Sequence, residues 1–188
     1  SLGDSLLEKI VEVPSPNFND RPQESIIDML IIHYTGMPAS KDAIDHMCDA
    51  RTKVSAHYMI DELGRLYQLV CENKRAWHAG ESRWRGNSDI NDRSIGIELS
   101  NPGHDFGYRK FTEPQMITLI TLSKKIIARH PIPARNIVGH SDIAPTRKKD
   151  PGELFDWRTL SAEGIGNWPA TSAREKEFII SKFNYKQA

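Results

Sequence analysis

Apolar residues fall into short runs along the chain, and their spacing predicts the main strands. The run DMLIIHYTG (28–36) is apolar up to a histidine and closes on a glycine, which is typical of a buried central strand. SIGIELS (94–100) alternates aliphatic residues with a glycine and a glutamate, which is the period of a strand. NIVGH (136–140) is a further short apolar run that ends in a histidine. We expect a strand in each of these stretches.

A helix and a hairpin are predicted between the first two strands. Ser40 can cap a helix through KDAIDHMCDAR (41–51), whose apolar residues share one face. SAHYMID (55–61) and LYQLV (66–70) are joined by a short polar turn that contains Gly64. This arrangement is typical of a β-hairpin.

A longer helix is predicted after Thr112, which forms a capping-box pattern with Gln115, while Pro114 is tolerated in the first turn. A wide apolar stripe follows, and the prolines of RHPIP (129–133) end the helix. The lead-in 13–25 is rich in Pro, Asn and Asp and is predicted to be a loop. Because strands and helices alternate, the fold class is α/β, with a mixed central β-sheet flanked by helices.

Composition narrows the class of protein. The 188 residues suffice for one domain with a substantial core. Lys plus Arg and Asp plus Glu each number 25, and this zero formal charge argues against nucleic-acid binding. No apolar run approaches the roughly 20 residues that cross a bilayer, so no integral membrane segment is expected. Cys48 and Cys71 form no CxxC pair and are expected to be free thiols.

Two of the predicted strands end in a histidine, His33 and His140. Ligand crevices commonly form at strand ends of α/β sheets, and a catalytic zinc site takes three protein ligands and leaves one position open. The segment GHSDIAPTRKKDPG (139–152) offers a third ligand, but spacing leaves two acids as alternatives. Asp142 lies two residues after the histidine, whereas Asp150 precedes a Pro-Gly turn that can return the chain to the site.

Two further residues have side chains suited to hydrolysis beside a zinc ion. Glu98 is a carboxylate on the strand face opposite the aliphatic residues, where it can act as general base and then as acid. Lys148, two residues before Asp150, can stabilise a developing oxyanion. The structural alternatives are a glutamate that points to water and a solvated basic run.

The stretch KRAWHAGESRWRG (74–86) is a candidate substrate-binding segment because it combines aromatic and basic residues with few aliphatic ones. Aromatic faces with polar edges suit sugar rings and peptide amides, and we expect substrate contacts from Trp77, His78 and Arg75. His57 has a weaker claim, since it can line the pocket or form hydrogen bonds inside the sheet. The alternative is a core tryptophan with arginines on the surface.

Six motifs of the chain occur in the order found in zinc-dependent N-acetylmuramoyl-L-alanine amidases, which the chain resembles: IIHYT, SAHYMI, RAWHAG, SIGIEL, GHSDIAP and RKKDPG. The likeness spans roughly residues 10–169. It points to the branch that contains the bacterial anhydro-muropeptide recycling amidase and its envelope lipoprotein relative. Linked motifs in a fixed order are far more specific than any one of them.

The resemblance implies a role for each candidate. His33, His140 and Asp150 match the family's zinc ligands, which settles the choice that spacing left open. Glu98 matches the catalytic glutamate, and Lys148 matches the lysine that stabilises the transition state. The family fold is a mixed sheet flanked by helices, with the zinc site at the strand ends.

The implied function is zinc-dependent hydrolysis of the amide between N-acetylmuramic or anhydromuramic acid and L-alanine of the stem peptide, in cell-wall turnover or recycling. Peptidoglycan fragments or muropeptides are the expected partners. The alternative is a non-catalytic peptidoglycan-recognition module on the same fold. The complete set of ligands and catalytic residues favours the enzyme, because a pure binder does not need it.

We expect a single amidase domain over residues 1–188, with a core over about 10–169. The charged stretch at 170–188 is expected to be an extension with helical character. We expect a cytoplasmic protein, or a periplasmic or outer-membrane-anchored one if a leader preceded Ser1.

Overall fold

The computed structural model describes residue 5 and residues 7–167. The extension predicted at 170–188 lies outside the described residues. Within them the chain is a single α/β domain with a mixed central sheet, as the sequence predicts.

The described residues form eight strands: β1 (Val11–Glu12), β2 (Phe18–Asp20), β3 (Met29–Tyr34), β4 (Tyr58–Ile60), β5 (Leu66–Gln68), β6 (Lys74–Ala76), β7 (Ser94–Leu99) and β8 (Ile137–Gly139). Six of them make one sheet in the order β1-β5-β4-β7-β3-β8. Its strands are parallel except for the antiparallel pair β4 and β5, which is the predicted hairpin. The remaining two, β2 and β6, pair antiparallel in a small second sheet.

Four α-helices connect and cover the strands in the described part of the chain: α1 (Ser40–Cys48), α2 (Glu113–Arg129), α3 (His140–Ile143) and α4 (Trp157–Ala162). Helix α2 packs its apolar stripe on one face of the large sheet and builds the main hydrophobic core. Helix α1 and the segment before β7 cover the other face. No helix among the described residues is long and apolar enough to span a membrane.

The period-two alternation of the central strands sorts their side chains onto these two faces. Leu30 and Ile32 of β3 belong to the core under α2, whereas Ile31 belongs to the cluster on the opposite face. Since side chains of a strand alternate, His33 projects on the opposite face together with Ile31. The backbone register pairs His33 with Glu98 of β7. The sheet therefore places both polar side chains on the face away from α2.

The lead-in 13–25, predicted to be a loop, contains β2, which pairs with β6 residue by residue from Phe18–Ala76 to Asp20–Lys74. All residues of β2 are exposed. The strand therefore has no buried apolar residue that would mark it in the sequence. It forms by pairing with a segment more than fifty residues away.

The start of α1 also differs from the prediction. Ala39 is the N-cap and makes no side-chain cap hydrogen bond, while Ser40 is the first helical residue. The Ser40 hydroxyl instead donates to the hydroxyl of Ser100 at 2.6 Å, which ties the helix to the end of β7.

Helix α2 begins as predicted, because the Thr112 hydroxyl accepts from the backbone N–H of Gln115 at 3.3 Å. The reciprocal half of the capping box does not form. The Gln115 side chain is buried and donates to the carbonyls of Ile60 and Ser100, each at 3.0 Å. The residue therefore holds the ends of β4 and β7 to the helix. Cys48 and Cys71 are free thiols, as predicted.

Candidate active site

Three side-chain atoms converge at the carboxyl ends of strands β3 and β8: Nδ1 of His33, Nδ1 of His140 and Oδ2 of Asp150. The two nitrogens lie 3.0 Å apart, and the carboxylate oxygen lies 3.1 Å from the first and 3.2 Å from the second. All three residues are buried, and among the described residues this is the group whose ligand atoms could hold one metal ion. The prediction of a metal site at the strand ends thus agrees with the fold.

The turn after β8 decides between the two candidate acids. The strand ends at Gly139, and His140 opens the short helix α3 instead of continuing the strand. The Asp142 carboxylate accepts from the backbone N–H of Gly139 at 2.7 Å and so caps this helix. Asp142 is therefore engaged in the turn, while Asp150 approaches the histidines from the loop that follows α3.

The loop that carries Asp150 is held on both sides of the residue. The Asp150 carbonyl accepts from the backbone N–H of Ser141 at 2.9 Å. On the other side, the Tyr108 hydroxyl donates to the Pro151 carbonyl at 2.8 Å, and its ring stacks on His104 with centroids 4.2 Å apart. Neither of these two aromatic residues was singled out from the sequence, although they sit close together in the motif GHDFGY.

The other ring nitrogen of His33 and that of His140 each have their own polar partner. Nε2 of His33 lies 2.9 Å from Nδ1 of His78, and Nε2 of His140 lies 2.9 Å from the Ala79 carbonyl oxygen. Partners of this kind fix the orientation and the tautomer of a ligand imidazole. Both rings are therefore held with Nδ1 directed at the cluster.

The electrostatics of the cluster favour the protonation states that metal ligands need. Burial, assisted by the neighbouring His140, lowers the pKa of His33 to about 4. Burial alone would raise the pKa of Asp150, but its close contacts with the rings of His140 and His33 outweigh burial and hold it below its ordinary value. At neutral pH, the carboxylate is charged and His33 is neutral, the forms in which these groups bind metal.

Glu98 lies on β7 beside this cluster and has an unpaired carboxyl oxygen. Its Oε2 atom is buried and has no hydrogen-bond partner among the described residues. Burial raises the pKa of Glu98 well above its ordinary value, and the nearby Asp150 charge adds to this, while Lys148 opposes it. A carboxyl group with an elevated pKa in a cleft is suited to taking and returning a proton.

Arg147 and Lys148 both line the cavity over the cluster, but they have different partners. Arg147 donates through Nη2 to the carbonyls of Ala79 and Glu81, each at 2.8 Å, and so anchors its loop. Lys148 lines the cavity, and its positive charge acts on Glu98. Arg147 is thus held by backbone carbonyls, whereas Lys148 acts on the carboxyl group of Glu98.

A cavity of about 830 Å³ opens over the cluster. Trp77 and Arg75 line it, as predicted for substrate contacts, and both reach Oδ1 of Asn19, at 2.9 Å from the indole nitrogen and 3.4 Å from the guanidinium. The sequence did not point to several other wall residues: Asn19, Tyr34, Lys53, Asn91, His104 and Arg147.

His57 and His78 differ from the predicted substrate contacts. His57 is completely buried, is absent from the cavity wall and accepts at Nδ1 from the backbone N–H of Gly96 at 3.1 Å. Its other nitrogen lies 2.9 Å from the Lys74 carbonyl. The ring therefore forms hydrogen bonds inside the sheet, which was the alternative given for it. His78 borders the cavity but is only 7% exposed and faces His33.

Comparison with known proteins agrees with this geometry. Residues 22–153, more than half of the chain, match the family model of N-acetylmuramoyl-L-alanine amidase. The chain is 44% identical over 157 residues to the N-acetylmuramoyl-L-alanine amidase AmiD of Escherichia coli, which covers 76% of this chain and 55% of AmiD. It is 37% identical over 176 residues to the 1,6-anhydro-N-acetylmuramyl-L-alanine amidase AmpD of Haemophilus influenzae, which covers 84% of this chain and 94% of AmpD.

A solved structure of E. coli AmiD, in complex with the substrate anhydro-N-acetylmuramic acid-L-Ala-D-gamma-Glu-L-Lys, superposes with a TM-score of 0.71 at 41% identity. The match covers 80% of this chain and 63% of the AmiD chain. The chain thus spans little more than half of full-length AmiD but nearly all of AmpD. Sequence, fold and site agree, and the chain belongs to the N-acetylmuramoyl-L-alanine amidase family.

Proposed function

We propose that the protein hydrolyses the amide between N-acetylmuramic or anhydromuramic acid and L-alanine of the peptidoglycan stem peptide, in a zinc-dependent reaction of cell-wall turnover or recycling. The observation that carries the proposal is the buried cluster of His33, His140 and Asp150 with Glu98 and Lys148 in the same cavity. Family membership supports the reaction, and the substrate bound to AmiD contains this type of bond.

The donor set fits zinc. Zinc binds imidazole nitrogen and carboxylate oxygen at about 2.0–2.2 Å, so the ligand atoms of a tetrahedral site lie about 3.3–3.6 Å apart. The donor atoms of His33, His140 and Asp150 lie 3.0 to 3.2 Å apart before any ion is considered. Mg²⁺ and Ca²⁺ prefer oxygen ligands throughout, which two imidazoles do not provide. Three protein ligands also leave one position for water or substrate, the pattern of catalytic zinc sites.

Glu98 is positioned to move the proton that hydrolysis requires. Zinc held by His33, His140 and Asp150 would supply a more acidic water and a Lewis acid for a carbonyl oxygen. The Glu98 carboxylate takes a proton from water as the water oxygen attacks the lactyl carbonyl carbon. The carbon–nitrogen bond then breaks, and Glu98 returns the proton to the departing L-alanine amine. The products are a lactyl carboxylic acid and a free peptide.

Lys148 complements this proton transfer. The attacked carbonyl oxygen gains negative charge in the tetrahedral transition state, and a cation in the cavity stabilises that charge more than it stabilises the neutral substrate. The Lys148 ammonium group lines the cavity near Glu98. Its contribution is therefore expected in turnover more than in substrate affinity.

The cavity also suits a sugar-peptide ligand. Its volume of about 830 Å³ lies in the range of small-molecule sites, about 300–1,000 Å³. The partly exposed indole of Trp77 offers an apolar face for a sugar ring or a peptide amide. Arg75 adds a positive charge, which its Asp92 partner at 2.6 Å holds in place.

The experiment is a muropeptide digest with a metal control. Protein stripped with chelator and then reloaded with one equivalent of zinc is incubated with anhydromuramyl-tripeptide, and mass spectrometry follows the products. We expect free peptide beginning at L-alanine from the reloaded sample alone. Glu98→Gln serves as the matched variant, which should bind the substrate and leave it intact. Binding without release by the wild-type protein, with every divalent metal tried, would identify a recognition module instead.

A further inference from the structure

The two metal-site histidines share one supporting segment. His33 places its Nε2 against the side chain of His78, and His140 places its Nε2 against the main-chain carbonyl of Ala79. An imidazole that offers Nδ1 to a metal carries its proton on Nε2 and needs an acceptor there. Two consecutive residues, His78 and Ala79, provide both acceptors.

The hydrogen bonds of His78 form a short directional chain. Its Nδ1 lies 2.9 Å from Nε2 of His33, and its own Nε2 lies 3.0 Å from the hydroxyl oxygen of Ser94. If His33 donates, then His78 must accept at Nδ1 and carry its proton on Nε2, which donates to Ser94. Both ring nitrogens of His78 are thereby used, and neither remains for a ligand in the cavity.

The surroundings of His78 are shaped to hold its ring in this place. Gly96 lies under the ring, since a Cβ atom added there would lie 2.6 Å from two ring atoms. The side-chain oxygen of Asn91 accepts from the backbone N–H groups of both His78 and Ala79, at 3.1 and 2.9 Å. A glycine on β7 makes the space, and an asparagine fixes the segment.

We propose that His78 is a positioning residue, which holds His33 in the tautomer that leaves Nδ1 free for the metal. This inference deepens the proposed function and rests on its metal site, but it assigns His78 to the metal ligand and not to the substrate. His78 lies outside the ligand set, because its Nδ1 contacts Nε2 of His33, the nitrogen on the far side of the His33 ring from the cluster. It is also only 7% exposed, which leaves little surface for a substrate.

Two substitutions separate the acceptor at Nδ1 from the bulk of the ring. His78→Asn keeps an acceptor one bond beyond Cγ, where Nδ1 stands, whereas His78→Leu keeps a similar shape without an acceptor. Zinc affinity is measured for the metal-free proteins by competition with a chelator, without substrate. Loss of such a partner typically weakens metal binding by about 10–100-fold, and we expect this loss in His78→Leu and recovery of most of it in His78→Asn. His130→Asn is the control, since His130 contacts Glu72, lies outside the cavity wall and contacts no metal ligand.

A second measurement uses the unaltered protein and does not depend on how the variants fold. ¹⁵N NMR of histidine-labelled, zinc-loaded protein reports which nitrogen of each ring carries a proton, and we expect Nε2–H for His33 together with an unprotonated Nδ1 and an Nε2–H for His78. A proton on Nδ1 of His78 would overturn the proposal. Equal zinc affinity in the wild-type protein and His78→Leu, or equal losses in the leucine and asparagine variants, would overturn it as well. None of these measurements involves turnover. A failed amidase assay would therefore contradict the proposed function without deciding the role of His78.

Discussion

Replacing Glu98 with glutamine should change activity and stability in opposite directions. The variant keeps the shape of the side chain but removes a carboxyl group whose Oε2 is buried without a partner. General acid–base groups contribute about 10²–10⁴-fold to rate, so turnover should fall by that amount. Metal content and substrate affinity should stay unchanged, because Glu98 is not part of the ligand set.

The stability effect follows from the raised pKa of Glu98. In strong acid both the folded and the unfolded protein hold the proton, so wild type and Glu98→Gln should be about equally stable. As pH rises through the ordinary glutamate pKa, the unfolded chain releases its proton before the folded protein does. The wild-type protein therefore loses stability relative to the variant until the raised folded pKa is passed.

Each unit of pKa elevation corresponds to about 1.4 kcal/mol. Because Glu98 keeps some exposure to the cavity, solvent screens part of this effect, and we expect a gain in stability for the metal-free variant at neutral pH. For a domain of this size that gain raises the melting temperature by about 2–4 °C per kcal/mol. Thermal unfolding by circular dichroism between acid and neutral pH measures the difference. Wild-type turnover in the variant, or a variant less stable than wild type at neutral pH, would refute the assignment of an unpaired catalytic base.

Three other substitutions test separate parts of the site. Asp150→Asn should lose bound zinc and amidase activity together, measured by elemental analysis and product release; retention of one zinc per chain would point to another ligand. Lys148→Met should bind zinc normally but lose about 10²–10³-fold in kcat. Lys110→Met, at an exposed lysine away from the cavity, is the control and should behave as wild type. Equal kcat values for the two variants would contradict the oxyanion role of Lys148. Gly96→Ala should press a Cβ atom into the His78 ring, which should cost about 1–3 kcal/mol of stability and weaken zinc binding. Chemical unfolding measures the stability and chelator competition measures the zinc affinity. Wild-type zinc affinity in this variant would contradict the link between the His78 ring and the metal site.

Strand periodicity predicted the placement of Glu98, while the resemblance to the amidases supplied the roles of the site residues. The alternation in 94–100 put Glu98 on the face opposite the aliphatic residues, and the structure pairs it in register with His33. Residues at matching positions of two neighbouring parallel strands lie side by side on the same face of the sheet. The family was predicted from motif order and the fold class from the alternation of strands and helices, and both are confirmed.

The choice of the third ligand could not come from spacing. It depends on where β8 ends, because a continued strand and a helical turn send Asp142 in different directions. The backbone becomes helical at His140, and the Asp142 carboxylate accepts the capping hydrogen bond from Gly139. Only the folded loop after α3 then brings Asp150 back to the two histidines.

The roles of His57 and His78 were also beyond local pattern. The partners that define them are 39 and 45 residues away in the chain, at Gly96 and His33. A histidine beside a tryptophan in a glycine-containing segment looks like a ligand contact until its neighbours in space are known. The glycine of β7 was the available signal, because a strand glycine often marks a close approach of another group.

The most direct test of the central claim is the position of the oxygen that hydrolysis adds. Zinc-loaded protein is incubated with anhydromuramyl-tripeptide in ¹⁸O-labelled water, and the two fragments are weighed by mass spectrometry. Cleavage at the lactyl amide places one heavy oxygen in the anhydromuramic acid fragment and none in the peptide that begins with L-alanine. Heavy oxygen in a peptide fragment, or intact substrate after exhaustive incubation, would contradict the account.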